Sequence, residues 1–345
     1  MILVNSKRVS IITPSFNRAD IIHETAESIF AQTYPHWEWM IVDDGSTDNS
    51  WDIISGYAQK DTRVRAFKRD REPKGAAACR NIAVEKSTGE YLVFLDTDDL
   101  LASFCLQQRV DAMLQHPEAD FVIFPMLLFR QKPDDLRLLW NVDKPADDID
   151  RILMSDAICQ GTGTLWKKQS FLDIGMWDEQ LLLWQDVELH LRSLLKPLHY
   201  VKRMDLKPDV FLRVSEVSLS RTGFHSYPKF RSRMRVLEQT LAMADQRGVI
   251  DKHKRGLRQM LKDILINAAV SNYHQDLPVI LGLNRQYGLY DRKHERMLER
   301  YIFLRKTRLY KIPFLQRLGE QGIREHEQES ESTLNRVPYE GMVGL

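Results

Sequence analysis

The chain has 345 residues, enough for one large domain and a smaller one, and with 43% hydrophobic and 28% charged residues it is not a disordered sequence. Its formal net charge of +1 supplies no global field to recruit nucleic acid or an anionic membrane, so any basic patch has to be local. Cys79, Cys105 and Cys159 are odd in number, widely spaced and without a CxxC pair, which argues against a disulfide framework or zinc site and fits a reducing compartment.

The N-terminal stretch Met1 to Ser10 turns polar too quickly for a signal peptide. Val9 to Thr13 is a β-branched run expected to stop at Pro14, with a helix following over about Ala19 to Gln32. Trp37 to Val42 is the next strand, ending in Asp43-Asp44-Gly45-Ser46, and Asp48 is placed to cap a helix through Tyr57. Val64 to Phe67 is a third strand, and Ala76 to Lys86 reads as an Ala-rich helix. Leu92 to Leu95 then reads as a buried strand, and a helix follows with Leu106, Val110, Met113 and Leu114 on one face. The longest apolar run, Phe121 to Phe129, has nine residues and contains Pro125, far short of a membrane span. The expectation is a soluble, cytoplasmic protein. Alternating strands and helices argue for an α/β fold with a mostly parallel sheet flanked by helices, in which ligands bind beyond the carboxyl ends of the strands.

Pro14, the Asp43-Asp44 pair and Asp96, Asp98 and Asp99 all fall at such ends. Three carboxylates within four positions raise each other's pKa and favour a compensating cation. At alternate positions of an extended segment they can chelate a hard divalent ion, which takes oxygen ligands and often shares them with phosphate. A solvated Asp-rich turn is the plain alternative. No GxxxxGK[ST] occurs in the chain, and Thr13-Pro14-Ser15-Phe16-Asn17-Arg18 stands where a GxGxxG would follow the first strand. A P-loop and a dinucleotide-binding fingerprint are both disfavoured.

Five segments carry a resemblance. Val9 to Arg18, Val42 to Asp48, Gly75 to Asn81 and Gly89 to Leu100, then Phe171 to Glu179 with Gln185-Asp186-Val187-Glu188-Leu189, resemble the inverting family 2 glycosyltransferases of GT-A (Rossmann-like) fold, in that family's order and spacing. The resemblance spans roughly residues 8–220. It implies a metal-dependent hexosyl- or N-acetylhexosaminyltransferase moving a sugar from a nucleotide-sugar, a UDP-sugar by preference, to a hydroxyl of a saccharide or lipid-linked saccharide in surface polysaccharide biosynthesis. It assigns the divalent cation, Mn²⁺ or Mg²⁺, to Asp98, with Asp96 toward the ribose and metal shell. Asp44 matches the position that contacts uracil, completed by backbone near Thr13 and Pro14, whereas Asp43 matches a position more often structural. Arg80 matches a base- or phosphate-contacting arginine, a role suited to a fork-shaped donor; its plain alternative is a surface arginine on an exposed helix. Asp186 matches the base that takes the acceptor proton; its plain alternative is an N-cap, since it is expected to open a helix through Leu195. Two readings of other kinds stay open: a catalytically silent nucleotide-sugar-binding scaffold, and a nucleotidyltransferase.

The sequence departs from the family at three places. Gln185 stands where Glu is common, which removes a like charge beside the base. Pro73 replaces an Asn, with Lys74 or Arg71 as substitutes for its contact. Ser215 stands where relatives often carry a His near the metal, so no His ligand is assigned, and a lone His225 reads as structural.

Residues 1–226 are expected to form the catalytic domain and 227–345 a helical C-terminal region with a polar tail. Phe230, Met234, Leu237 and Leu241 form one stripe, and Leu257, Leu261, Ile264 and Ala268 another. Residues 292–318 are basic and amphipathic. They fit a helix docked on the catalytic domain or a peripheral contact with the inner membrane face; a homo-oligomer element is a further reading.

Overall fold

Runs of β-branched and aromatic residues, separated by helices with one apolar face, fold into layers because each element has a single face to bury. The computed structural model describes residues 7–196, 198–214, 223–312, 314–317 and 337–341. In chain order, β1 (Val9–Ser15), α1 (Ile22–Phe30), β2 (Trp37–Asp43), α2 (Ser50–Lys60), β3 (Val64–Lys68), α3 (Ala76–Lys86) and β4 (Tyr91–Phe94) alternate as the periodicity predicts. Then come β5 (Leu100–Leu101), α4 (Cys105–Gln115), β6 (Phe121–Ile123), β7 (Met126–Phe129), β8 (Leu138–Leu139), α5 (Asp148–Leu153), β9 (Thr164–Lys167), α6 (Lys168–Asp173), α7 (Gln185–Leu195), β10 (Tyr200–Lys202) and β11 (Val210–Arg213). The remainder is helical, α8 (Tyr227–Gln246), α9 (Lys254–Val270), α10 (Leu277–Tyr287) and α11 (Arg292–Lys306), apart from a short β12 (Val337–Pro338).

The main sheet runs β10-β6-β9-β4-β1-β2-β3. Its pairs are parallel except at β9, which lies antiparallel to both β4 and β6. A smaller sheet, β12-β8-β7-β11-β5, adjoins it. The apolar run Phe121 to Phe129 is shared between the two, with β6 in one, β7 in the other and Pro125 at the junction. Proline has no ladder donor, so it suits a strand break.

Two local expectations are corrected. β1 does not stop at Pro14 but continues to Ser15, in register with Asp43. Pairing with β4 ends at Ile12, so the missing N–H of Pro14 falls where that ladder has already ended. In α4, Leu106, Val110 and Met113 are buried, but Leu114 is 51% exposed, beyond the edge of the apolar stripe.

Both predicted stripes of the helical region are buried: Phe230, Met234, Leu237 and Leu241 on α8, and Leu257, Leu261, Ile264 and Ala268 on α9. They join the strands in one continuous core, with α8 against α7 and α9 against α5. α11 buries Leu298, Tyr301 and Leu304 and packs on α9. Among the described residues, no helix is long and apolar enough to cross a membrane.

Candidate active site

The register of β1, β2 and β4 brings their carboxyl ends to one rim. After β2, Asp43 builds the turn: its carboxylate accepts from Gly45 N–H at 3.0 Å, Ser46 N–H at 2.9 Å and Ser46 Oγ at 2.5 Å. Gly45 has φ +81°, a region that favours glycine. Asp44 is buried, and its Oδ1 accepts from Arg69 Nε at 2.6 Å and Gly75 N–H at 3.3 Å. Thr13 spends its hydroxyl on Trp39 Nε1 at 2.9 Å, so it offers the rim only backbone.

At the end of β4 the three aspartates take different surroundings. Asp99 is buried; its Oδ1 accepts from Arg213 N–H at 3.0 Å and its Oδ2 from Thr162 Oγ1 at 3.5 Å. Burial, with Asp98 and Asp96 close by, pushes its carboxyl well above the usual range. Asp98 is half-buried, and burial followed by the Asp96 charge raises its pKa too. Its carboxylate makes one ion-pair contact among the described residues, with Arg18 Nη2 at 3.8 Å, while Arg213 Nε donates to its carbonyl at 3.0 Å. Asp98, whose carboxylate lies 3.8 Å from this cation, and Asp96 beside it offer the oxygen donors that a hard divalent cation takes, so the pair fits such an ion.

Arg80 joins this cluster to α7. It is only 9% exposed, which removes the surface-arginine reading. Its Nη2 donates to Asp96 Oδ1 at 2.6 Å, its Nη1 donates to Gln185 Oε1 at 3.0 Å, and its guanidinium lies 4.9 Å from the Trp177 ring centroid. Asp96 and Asp186 hold it charged against burial. Asp186 is the second residue of α7 rather than its cap; the cap position belongs to Trp184, at φ 64°. Asp186 Oδ1 accepts from Gly161 N–H at 2.7 Å, and its Oδ2 has no partner among the described residues. A Cβ on Gly161 would lie 3.2 Å from Asp186 Oδ1 and 3.1 Å from Trp177, so this approach requires glycine.

Of the predicted residues, Arg80 and Asp96 are therefore bonded to each other, with Asp98 beside Asp96 and Asp186 beside Arg80's partner Gln185, and Pro14 and Asp44 lie on the neighbouring strand ends. Arg18, Gly161, Trp177 and Arg213 were missed as participants. Arg18 lies inside a quoted motif, but Gly161 and Arg213 carry no sequence signal for their partners. Arg71 is occupied by Glu85 and Glu179, and Lys74 lies 3.7 Å over the Phe16 ring. Ser215 lies outside the described residues. His225 Nδ1 is 2.8 Å from Asn267 Nδ2, away from the strand ends. Asp147, Asp150 and His253 also gather ligand atoms within 4.8 Å. There, however, Asp147 caps α5 and meets Lys252 Nζ at 3.0 Å, so a cation is already supplied.

Residues 10–175 match the protein-family model "Glycosyl transferase family 2". The chain is 41% identical over 105 residues to the Escherichia coli protein named UDP-Glc:alpha-D-GlcNAc-diphosphoundecaprenol beta-1,3-glucosyltransferase WfaP, covering 30% of this chain and 41% of that one. It is 34% identical over 118 residues to glycosyltransferase GlyG of Streptococcus pneumoniae, covering 34% and 38%. The chain thus spans less than half the length of these curated relatives. Among solved structures, Staphylococcus aureus TarS 1–349 in complex with UDP-GlcNAc superposes with a TM-score of 0.65 at 15% identity, covering 98% of this chain and 99% of that one. That likeness is one of fold.

Proposed function

We propose, from the premise that residues 10–175 belong to glycosyl transferase family 2, that this chain moves a sugar from a UDP-sugar to a hydroxyl of a saccharide or lipid-linked saccharide, with inversion. What carries the reading is the double contact of Arg80, which couples the strand-end carboxylates through Asp96 to the start of α7 through Gln185.

In this mechanism Asp44, Thr13 and Pro14 form the base pocket, Arg80 and Asp96 lie toward the ribose and diphosphate, and Asp98 with Asp96 would hold Mn²⁺ or Mg²⁺. When bound, that ion supplies Lewis-acid stabilisation of the diphosphate leaving group. Gly161 fixes Asp186 through Oδ1, which leaves Oδ2 to take the acceptor proton while the acceptor oxygen attacks the anomeric carbon from the face opposite the diphosphate. One displacement suffices, and no second carboxylate is needed as nucleophile. The acceptor class is supported by WfaP, whose name specifies a lipid diphosphate-linked sugar. Action at the inner face of a membrane through residues 292–318 belongs to the same reading.

The test is calorimetry with UDP in the presence of Mn²⁺ or Mg²⁺, followed by a nucleotide-sugar hydrolysis screen. UDP binding with turnover supports the enzyme. UDP binding without turnover of any donor, acceptors included, leaves a silent scaffold, and nucleotidyl release in place of sugar release points to a nucleotidyltransferase. Failure of UDP to bind with either ion removes the proposal.

A further inference from the structure

A cavity of ≈ 390 Å³ opens between α8 and α9 beside the start of α7, outside the strand-end rim. Trp184, Phe224, His225, Arg233, Asp263 and Asn267 line it. Its most unusual occupant is Arg233, which is only 4% exposed yet has no carboxylate ion pair among the described residues. Other buried guanidinium groups are neutralised, Arg80 by Asp96, Arg109 by Asp209 and Arg151 by Asp156 and Asp148. Arg233 instead rests on an aromatic face, 4.3 Å from the Phe224 ring centroid, with Trp184 at 6.0 Å. Its Nη2 donates to Asn267 Oδ1 at 2.8 Å, but Nε finds no acceptor among the described residues. A buried charge with no ion pair among the described residues and with an idle donor is costly unless something completes it.

The surrounding groups suit a sugar. Trp184 and Phe224 line the cavity with aromatic surface against which a pyranose ring can pack. Asn267 Nδ2 donates to His225 Nδ1 at 2.8 Å, which leaves His225 Nε2 as the N–H of the neutral ring. Asp263, which accepts from Gln259 at 2.9 Å, adds an acceptor for hydroxyls.

We infer that this cavity is an acceptor subsite for an anionic sugar, with the ring stacked on Trp184 and Phe224 and its phosphate or carboxylate received by Arg233. The inference rests on the assignment of Asp186 as base, because Trp184, which lines the cavity, is the cap position of the helix whose second residue is Asp186. The shared chemistry is an oxyanion on a pyranose. It comes either from a phosphate, as in a carrier-linked sugar, or from the carboxylate of a uronic acid.

The experiment is an NMR titration of the full chain, with the donor site saturated by UDP and Mn²⁺, using glucose 1-phosphate, glucuronic acid and methyl glucoside. At least one anionic sugar is expected to bind tenfold or more tightly than the neutral glycoside, and which one does so identifies the source. Arg233→Gln is expected to abolish that preference while UDP affinity stays within twofold. Because Arg233 is buried, Val270→Trp provides an independent arm: Val270 lines the cavity and is 47% exposed, so the larger ring fills the space without removing a buried charge. It is expected to lower anionic-sugar binding at least tenfold. Equal binding of the three sugars, or anion binding unchanged in both variants, overturns the inference. If UDP itself does not bind, the proposed function fails separately, and the same titration without UDP still decides the role of Arg233.

Discussion

In the strand-end rim, Arg80 is buried against Asp96 and Gln185, and the neighbouring arginines have carboxylates: Arg69 has Asp44, Arg213 has Glu24. In the helical region, Arg233 is buried as deeply, yet it meets an amide and an aromatic face instead. The first arrangement holds its own parts in place, since an ion pair with satisfied hydrogen bonds fixes geometry at modest net energy. The second leaves beside a cavity a charge that has no ion pair among the described residues. In the proposed reading, preorganisation and recognition are thus separated in space: the rim would present rigid groups to a donor, and the helices would frame room for what receives the sugar.

The largest test of the rim's side of this contrast is Asp186→Asn. The amide keeps the shape but cannot take a proton, so turnover is expected to fall roughly 10²–10⁴-fold, with UDP affinity measured by calorimetry nearly unchanged. Near-normal turnover would place the base elsewhere and make Asp186 a helix-start residue only.

Next comes the buried pair beneath the rim. Arg109 and Asp209 are both fully buried, 2.8 Å apart, and Arg109 Nη1 also donates to the carbonyls of Thr162 at 2.8 Å and Thr164 at 3.1 Å. It thereby anchors the segment whose Gly161 holds Asp186. Asp209→Ala leaves that guanidinium uncompensated and is expected to cost about 3–5 kcal/mol in denaturant unfolding. A loss under 1 kcal/mol would show the pair to be dispensable. Gly161→Ala tests the same segment more gently, because its methyl would press on Asp186 Oδ1 and Trp177. Misplacement of a catalytic group by about 1 Å costs on the order of 10²-fold, so kcat should fall toward that limit with UDP binding retained.

How far these regions could be read in advance follows the same division. Asp96, Asp98, Arg80 and Asp186 sit in local motifs, where a strand end or helix start leaves a pattern a few residues long. Arg80's burial was not visible, because its cover comes from Trp177 and Gln185, about a hundred positions away, and an Ala-rich helix carries no marker of which face is inside. Gly161 was missed because a glycine required by a distant side chain looks like any loop glycine. The helical stripes were legible as packing faces from their spacing. The cavity between α8 and α9 was not, since a void is defined by residues drawn from four separate segments. Pro14 misled because the rule against proline in strands depends on whether a neighbouring ladder is still present.

A smaller effect sharpens the electrostatics of the rim. Asp98's carboxyl is held above its ordinary 3.8, so the folded state binds its proton more tightly than the unfolded chain does. Stability from this group is therefore present at low pH and is lost as pH rises from 3.8 through the raised value. Thermal melts of the metal-free protein across that window should show a larger loss in the native protein than in Asp98→Asn, where Asp99 is left as the raised carboxyl of the cluster. Mn²⁺ should raise the melting temperature at neutral pH and do so less as acid competes for the carboxylate, and Asp98→Asn should blunt that gain. A metal shift that is the same in both proteins, or that grows on acidification, would place the ion elsewhere.

The weakest expected effect lies at the far edge of the helical region, where packing and a surface role for α11 compete. Six of its fifteen residues are basic and two acidic, and Asp291 caps its start. Leu298, Tyr301 and Leu304 are buried, so removing the helix would strip a face of α9 and confuse unfolding with lost surface contact. Phe303 points outward at 57% exposure, and Phe314 beyond the helix is 73% exposed. An outward aromatic among basic residues suits an anionic bilayer surface, where basic side chains gain about 1 kcal/mol each and the ring enters the interface. Phe303→Ser with Phe314→Ser should therefore lower sedimentation with anionic liposomes several-fold, leaving the melting temperature and UDP binding unchanged. Arg292, Lys293 and Arg296 stay in place in that variant, so any residual binding should vanish at high salt. Undiminished sedimentation would assign α11 to packing alone.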